Sequence, residues 1–177
     1  MAAPRIYTAA MRRLEPPDAH HFQAAQGWLG LGARADAQAE LDEISPPNQQ
    51  HPAVLELRWT MHAEARDWDA ALAVARNLLA QSPGQADSWL HHAYALRRVA
   101  HGGLTQARAA LEPAAKKFPD EPIIPYNLSC YACQLQQLDE ARAWFQKAVH
   151  AGKKSVLKRM ALADPDLEAL WEEIRQL

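Results

Sequence analysis

Asp67-Trp68-Asp69-Ala70-Ala71-Leu72-Ala73-Val74-Ala75-Arg76-Asn77-Leu78-Leu79-Ala80-Gln81-Ser82-Pro83-Gly84 is the stretch on which the fold turns. Ala71, Ala75 and Leu78 stand at i, i+4 and i+7, which places them on one face of a helix. Carboxylates open the segment, where the helix dipole favours them, and Ser82-Pro83-Gly84 closes it. Working outward, the same spacing recurs as Ala37–Leu41–Ile44, Ala107–Leu111–Ala114 and Ala141–Phe145–Ala148. The leading alanines lie 34, 36 and 34 residues apart, and a proline follows twelve residues after two of them, at Pro83 and Pro119. A period near 34 residues with this spacing predicts stacked helical hairpins.

Read this way, the chain pairs helices over 18–32 and 34–44, 52–66 and 68–81, 86–100 and 104–118, and 122–136 and 138–151. The expected divisions are an N-terminal extension at 1–17, with a short helix over 4–15 ended by Pro16-Pro17, and hairpins at 18–51, 52–85, 86–121 and 122–152. Capping helices follow at 153–177. The turn His101-Gly102-Gly103 holds the two extra residues of the long period. The last helix, over 165–176, has Asp164 as N-cap and Pro165 at the first helical position. Its stripe of Leu167, Leu170, Trp171 and Ile174 predicts a cap on the fourth pair, with Glu168, Glu172, Glu173 and Arg175 turned to water. Ala25, Trp59, Ala93 and Ser129 occupy equivalent places on the first helices, and Trp59 is expected to fill the space left at Ala75. No strand pattern of credible length is present, so the fold class is all-α.

Composition bounds the function. With 177 residues the chain can bury a core as one domain. A formal charge of −2 supplies no basic field for nucleic acid or anionic membrane, and neither is expected as a partner. No segment approaches the roughly 18 apolar residues of a span. The first 13 residues lack the apolar core of a secretory signal. Cys130 and Cys133 do not make a disulfide framework, and the expected setting is a reducing cytoplasm.

Signals for chemistry are weak. There is no glycine-rich phosphate loop, no nucleophile elbow and no HExxH. The expectation is no enzyme, no catalytic residue and no cofactor. Cys130 and Cys133 share a helical face and could ligate zinc or exchange thiols. A second CxxC is missing, and two more ligands would have to come from residues such as His91 or His92. The pair is read as small residues on a packed helix, and no metal is expected. The doublets His20-His21 and His91-His92 point about 100° apart on a helix, an arrangement of one core-facing and one surface histidine. The cations Lys153, Lys154, Lys158 and Arg159 are read as a solvated face, with a secondary patch for an acidic partner as the alternative.

At Asp67-Trp68-Asp69-Ala70-Ala71, Trp89 to Leu96 and Leu138-Asp139-Glu140-Ala141, with the closing prolines, the chain resembles the tetratricopeptide repeat family. The resemblance covers residues 18–152 and is weakest in the first hairpin, where Arg34 replaces the usual aromatic or leucine. The segment from Ile124 to Cys133 and the tail from Met160 to Glu168 are similar to a bacterial group of small tetratricopeptide proteins. The resemblance implies a right-handed superhelical stack, an α-solenoid of four hairpins plus a capping helix. It also implies that first helices line a concave groove for a peptide or partner helix.

Four-then-three spacing marks the candidate face: Phe22, Gln26 and Leu29; Glu56, Thr60 and Ala63; Leu90, Tyr94 and Arg97; Tyr126, Cys130 and Cys133. His91 and Asn127 border it. The expected binding residues are Glu56, Thr60, Leu90, His91, Tyr94, Arg97, Tyr126, Asn127 and Cys130. Aromatics and arginine are the usual interface anchors, and an amide can hold a peptide backbone. The family's grip on chaperone C-terminal carboxylates is not expected, because Phe22, Gln26, Leu57, Asp87 and His91 stand at the corresponding places and Asp87 reverses a charge. The function read from the sequence is a protein–protein interaction scaffold. The alternatives are a chaperone for a secreted or assembling substrate, a self-associating structural subunit (a homo-oligomer), and a metal or redox protein.

Overall fold

A computed structural model describes residues 13–177. Among them ten α-helices and two short 3-10 segments account for the regular structure, and no strand occurs. The chain falls into two compact units that divide between Gly84 and Gln85, beside the Ser82-Pro83-Gly84 break. The short helix expected over 4–15 lies mostly outside the described residues, and residues 13–15 are not helical.

The first unit holds α1 (Asp18–Gly30), α2 (Arg34–Asp42), α3 (Pro52–Glu64) and α4 (Trp68–Gln81). α1 packs on α2 and α3 packs on α4. Ala25, Ala37, Leu41, Ile44, Val54 and Met61 form its buried cluster. The alanines let helix backbones approach closely while leucine and isoleucine fill the remaining space. The break after α2 is itself structured, a 3-10 turn at Pro46–Asn48. Gln49 donates through Nε2 to the carbonyls of Leu41 (2.9 Å) and Ile44 (2.6 Å), two acceptors that the end of α2 leaves open. Arg58 on α3 donates to the Gln49 amide oxygen at 2.7 Å and to the Leu41 carbonyl at 3.2 Å. Asp67 caps α4 by accepting from the Ala70 N–H at 3.3 Å. Ala75 is fully buried on α4, whereas Trp59 is half-buried, unlike its small counterpart Ala25.

The second unit holds α5 (Ala86–Leu96), α6 (Leu104–Lys117), α7 (Ile123–Gln134), α8 (Leu138–Ala151), α9 (Lys154–Leu162) and α10 (Trp171–Gln176). α5 stops at Leu96, short of the expected residue 100. The reason is the diglycine turn. Gly103 adopts φ +125° and donates its N–H to the Leu96 carbonyl at 3.0 Å. A Cβ on Gly102 would fall 1.9 Å from that same carbonyl oxygen. Only glycine fits both positions. Ala93 and Ser129 are fully buried at the small-residue places, and Ser129 donates to the Ala141 carbonyl on α8 at 2.8 Å. That bond satisfies a hydroxyl that would otherwise be costly to bury.

The expected helix over 165–176 is instead a 3-10 segment at Pro165–Leu170 followed by α10. Asp164 does act as its cap, accepting from the Asp166 N–H at 3.0 Å. In a 3-10 helix residues i and i+3 eclipse, which aims Leu167 and Leu170 at the same core, where both are buried. Ile174 joins them. Trp171 stays half-buried and donates its indole N–H to the Ala161 carbonyl on α9 at 2.8 Å. The 3-10 segment packs mainly on α7. The C-terminal cap therefore lies against a first helix. No helix among the described residues is long and apolar enough to cross a membrane.

Candidate functional site

Three of the expected binding residues meet where the C-terminal segment crosses α7. Arg97, at the end of α5, aims its guanidinium fork at Asp166: Nη2 donates to Oδ1 at 2.8 Å and Nη1 donates to Oδ2. Tyr126 donates its hydroxyl to Asp164 Oδ2 at 2.9 Å. The Cys130 thiol approaches the same oxygen at 3.5 Å. Gln134 donates from Nε2 to the backbone carbonyl of Asp166 at 3.1 Å. The Arg97 guanidinium also lies 5.6 Å from the centroid of the Tyr131 ring, within cation–π range. The periodicity of α7 aligns Tyr126, Cys130 and Cys133 on one face, and the tail lies across that face.

The electrostatics follow from this geometry. The hydrogen-bonded Asp166 carboxylate holds the Arg97 guanidinium above its ordinary value, against the opposing effect of burial. Burial pushes the Cys130 thiol up, and the nearby carboxylates of Asp164 and Asp166 push it further. Tyr126 is likewise raised, first by burial. Burial pushes Tyr131 up to about 12, although Arg97 and Arg98 pull the other way. All three acids therefore stay protonated at neutral pH, and the Cys130 thiol is a poor nucleophile.

Cys130 Sγ and carboxylate oxygens of Asp164 and Asp166 do lie within 4.8 Å of one another. The cation among them is already the Arg97 guanidinium, and the thiol is held neutral. Cys133, also buried, receives the Ala169 N–H and has its thiol raised, chiefly by burial. The CxxC pair thus packs beneath the tail. Neither His91 nor His92 belongs to this cluster.

The other expected residues are placed differently. Leu90 packs against the core of the second unit. His91 is half-buried, and desolvation lowers its imidazole. Tyr94 is 38% exposed, with the Arg98 guanidinium stacked 3.4 Å over its ring. Asn127 donates its amide to the Ile123 carbonyl of its own helix at 2.9 Å. Glu56 and Thr60 lie on α3 in the first unit, where the Thr60 hydroxyl donates to the Glu56 carbonyl at 3.0 Å.

Asp164, Asp166 and Gln134 were not among the expected residues. The run Asp164-Pro165-Asp166 carries a capping signature that fully accounts for it locally, so nothing in it announces a partner 69 residues away in the chain. No family model matches the chain, and no curated protein matches it.

Proposed function

We propose that the protein is a non-catalytic interaction scaffold that receives a peptide or helix of a partner protein on the first helices of tetratricopeptide-like hairpins. The observation that supports this is the chain's own use of that face. Arg97, Tyr126 and Gln134 hold a short carboxylate-bearing segment with a guanidinium fork, a phenol and an amide. Those are the contacts with which such a surface holds a foreign segment.

Energetics decide where a partner lands. Leu167, Leu170 and Ile174 of the seated tail are buried in the core of the second unit, and each stabilises its seating by about 1.5–3 kcal/mol. A displacing peptide would lose most of the roughly 8 kcal/mol of a micromolar complex. The tail therefore stays in place, and the partner docks beside it on Leu90, His91 and Tyr94, the turns of α5 that precede Arg97. A reducing cytoplasmic setting belongs to the same proposal.

The test is affinity capture with the intact chain, followed by titration of the captured partner. The double substitution His91→Ala with Tyr94→Ala should weaken binding at least about tenfold, or 1.4 kcal/mol, with the helical circular dichroism retained. Undiminished affinity would overturn the assignment.

A further inference from the structure

The second unit carries a concave surface that shares no residue with the face just described. It is a groove of about 1070 Å³ between α6 and α8, at the upper end of the volumes that hold ligands. Its floor is apolar: Phe118 and Pro113 from the α6 side, Pro125 from α7, and Trp144 from α8. Phe118 and Trp144 are only half-buried. Large apolar side chains left accessible in a concave site mark an interaction surface more often than a bare protein face.

Cations predominate around the groove. Lys116 and Lys147 line it and are exposed. Lys147 holds its ammonium 3.9 Å from the centroid of the Trp144 ring, which keeps positive charge directly over the apolar floor. The single carboxylate in the lining is Glu112, and it already accepts from Arg108 Nε at 2.8 Å. The free field in the groove is thus cationic in a chain whose net charge is −2. A cationic rim around an aromatic floor complements a segment that is acidic on one side and apolar on the other.

Pro113 adds a further feature. It sits inside α6 and supplies no N–H to the Ala109 carbonyl one turn earlier. Ala109 lines the same groove, so a backbone acceptor lacks its helical donor there.

We propose that the groove between α6 and α8 docks an acidic amphipathic segment of a partner protein, its apolar side chains on Phe118 and Trp144 and its carboxylates on Lys116 and Lys147. The chain's own acidic stretch, 166–176, cannot be that segment, because its apolar face is buried in its own unit. The net charge disfavours nucleic acid.

The probe is a fluorescein-labelled synthetic peptide of about four helical turns, with leucines at i, i+4 and i+7 and glutamates at the positions flanking that stripe, titrated into the full chain by anisotropy. Its glutamine-for-glutamate analogue should bind at least about tenfold more weakly, and so should its serine-for-leucine analogue. The double variant Lys116→Glu with Lys147→Glu changes two exposed side chains. It should lose at least about tenfold in affinity with the helical circular dichroism and a cooperative thermal transition retained. His91→Ala with Tyr94→Ala should bind the probe as the parent does, which separates this surface from the one on α5. Retained affinity in the lysine double variant overturns the proposal. So does binding that ignores the leucines and is matched by heparin, since that would be a bare polyanion surface.

Discussion

The carboxylate of Asp18 is buried at the start of α1 and accepts three hydrogen bonds: from the Ser45 N–H at 2.9 Å, from the Ser45 hydroxyl, and from the Asn48 amide at 2.6 Å. These bonds, the Ser45 hydroxyl foremost, hold its pKa below the ordinary carboxylate value. In the unfolded chain the group titrates near about 3.9. Its contribution to stability is therefore full above that pH and is lost as the pH falls through the lower, folded value. Urea unfolding at pH 5 and pH 3 should show the first unit weakened at the lower pH. Asp18→Asn should be less stable than the parent at pH 5 and show a smaller acid-induced loss. An identical pH dependence in the variant would remove Asp18 from the account. Little of this site is legible in the sequence. Ser45-Pro46-Pro47-Asn48 reads as a helix breaker, which it is, but its side chains reach back 27 and 30 residues to Asp18, and no local spacing encodes that.

At the scale of elements, most helices follow from the periodicity. α4 and α8 occupy the expected 68–81 and 138–151, because a single apolar stripe and strong end signals leave them no competing arrangement. The tail departs from expectation because tertiary packing outweighs the preference for an α-helix. Tight 3-10 winding brings Leu167 and Leu170 to the same core. Leu167→Ala should cost about 2–5 kcal/mol. Because the tail covers α7, the same substitution should also loosen it over Cys130. Alkylation of Cys130 at pH 8 is then expected to be slow in the parent and at least about tenfold faster in the variant. Equal labelling rates would mean that the tail does not protect the thiol. Deleting the stretch 165–177 removes Leu170 and Ile174 as well, and the loss approaches the entire stability of a small domain, about 5–15 kcal/mol. The diglycine turn after α5 shows the opposite balance. There a local backbone requirement, φ +125° at Gly103, ends the helix before its apolar pattern does.

At the scale of the whole molecule, the cluster of buried residues from Ala93 to Ile174 and the partly buried side chains packed on it all belong to the second unit. A fragment spanning Gln85–Leu177 should therefore fold alone, with a helical spectrum and one cooperative thermal transition. A fragment that melts without cooperativity would show that its core is incomplete. Most of the helices, their pairing and the small residues at their crossings are written in the local sequence. Each of these rests on interactions within one or two turns, or across a short connection, and they recur with the period. The sequence also marked Arg97, Tyr126 and Cys130 as residues on one exposed-looking face. What the tertiary structure alone decided is that this face is covered by Asp164, Asp166 and Leu167. Such contacts join residues up to 69 positions apart, and their free energy comes from burial and charge pairing that exist only once the chain has brought the two segments together.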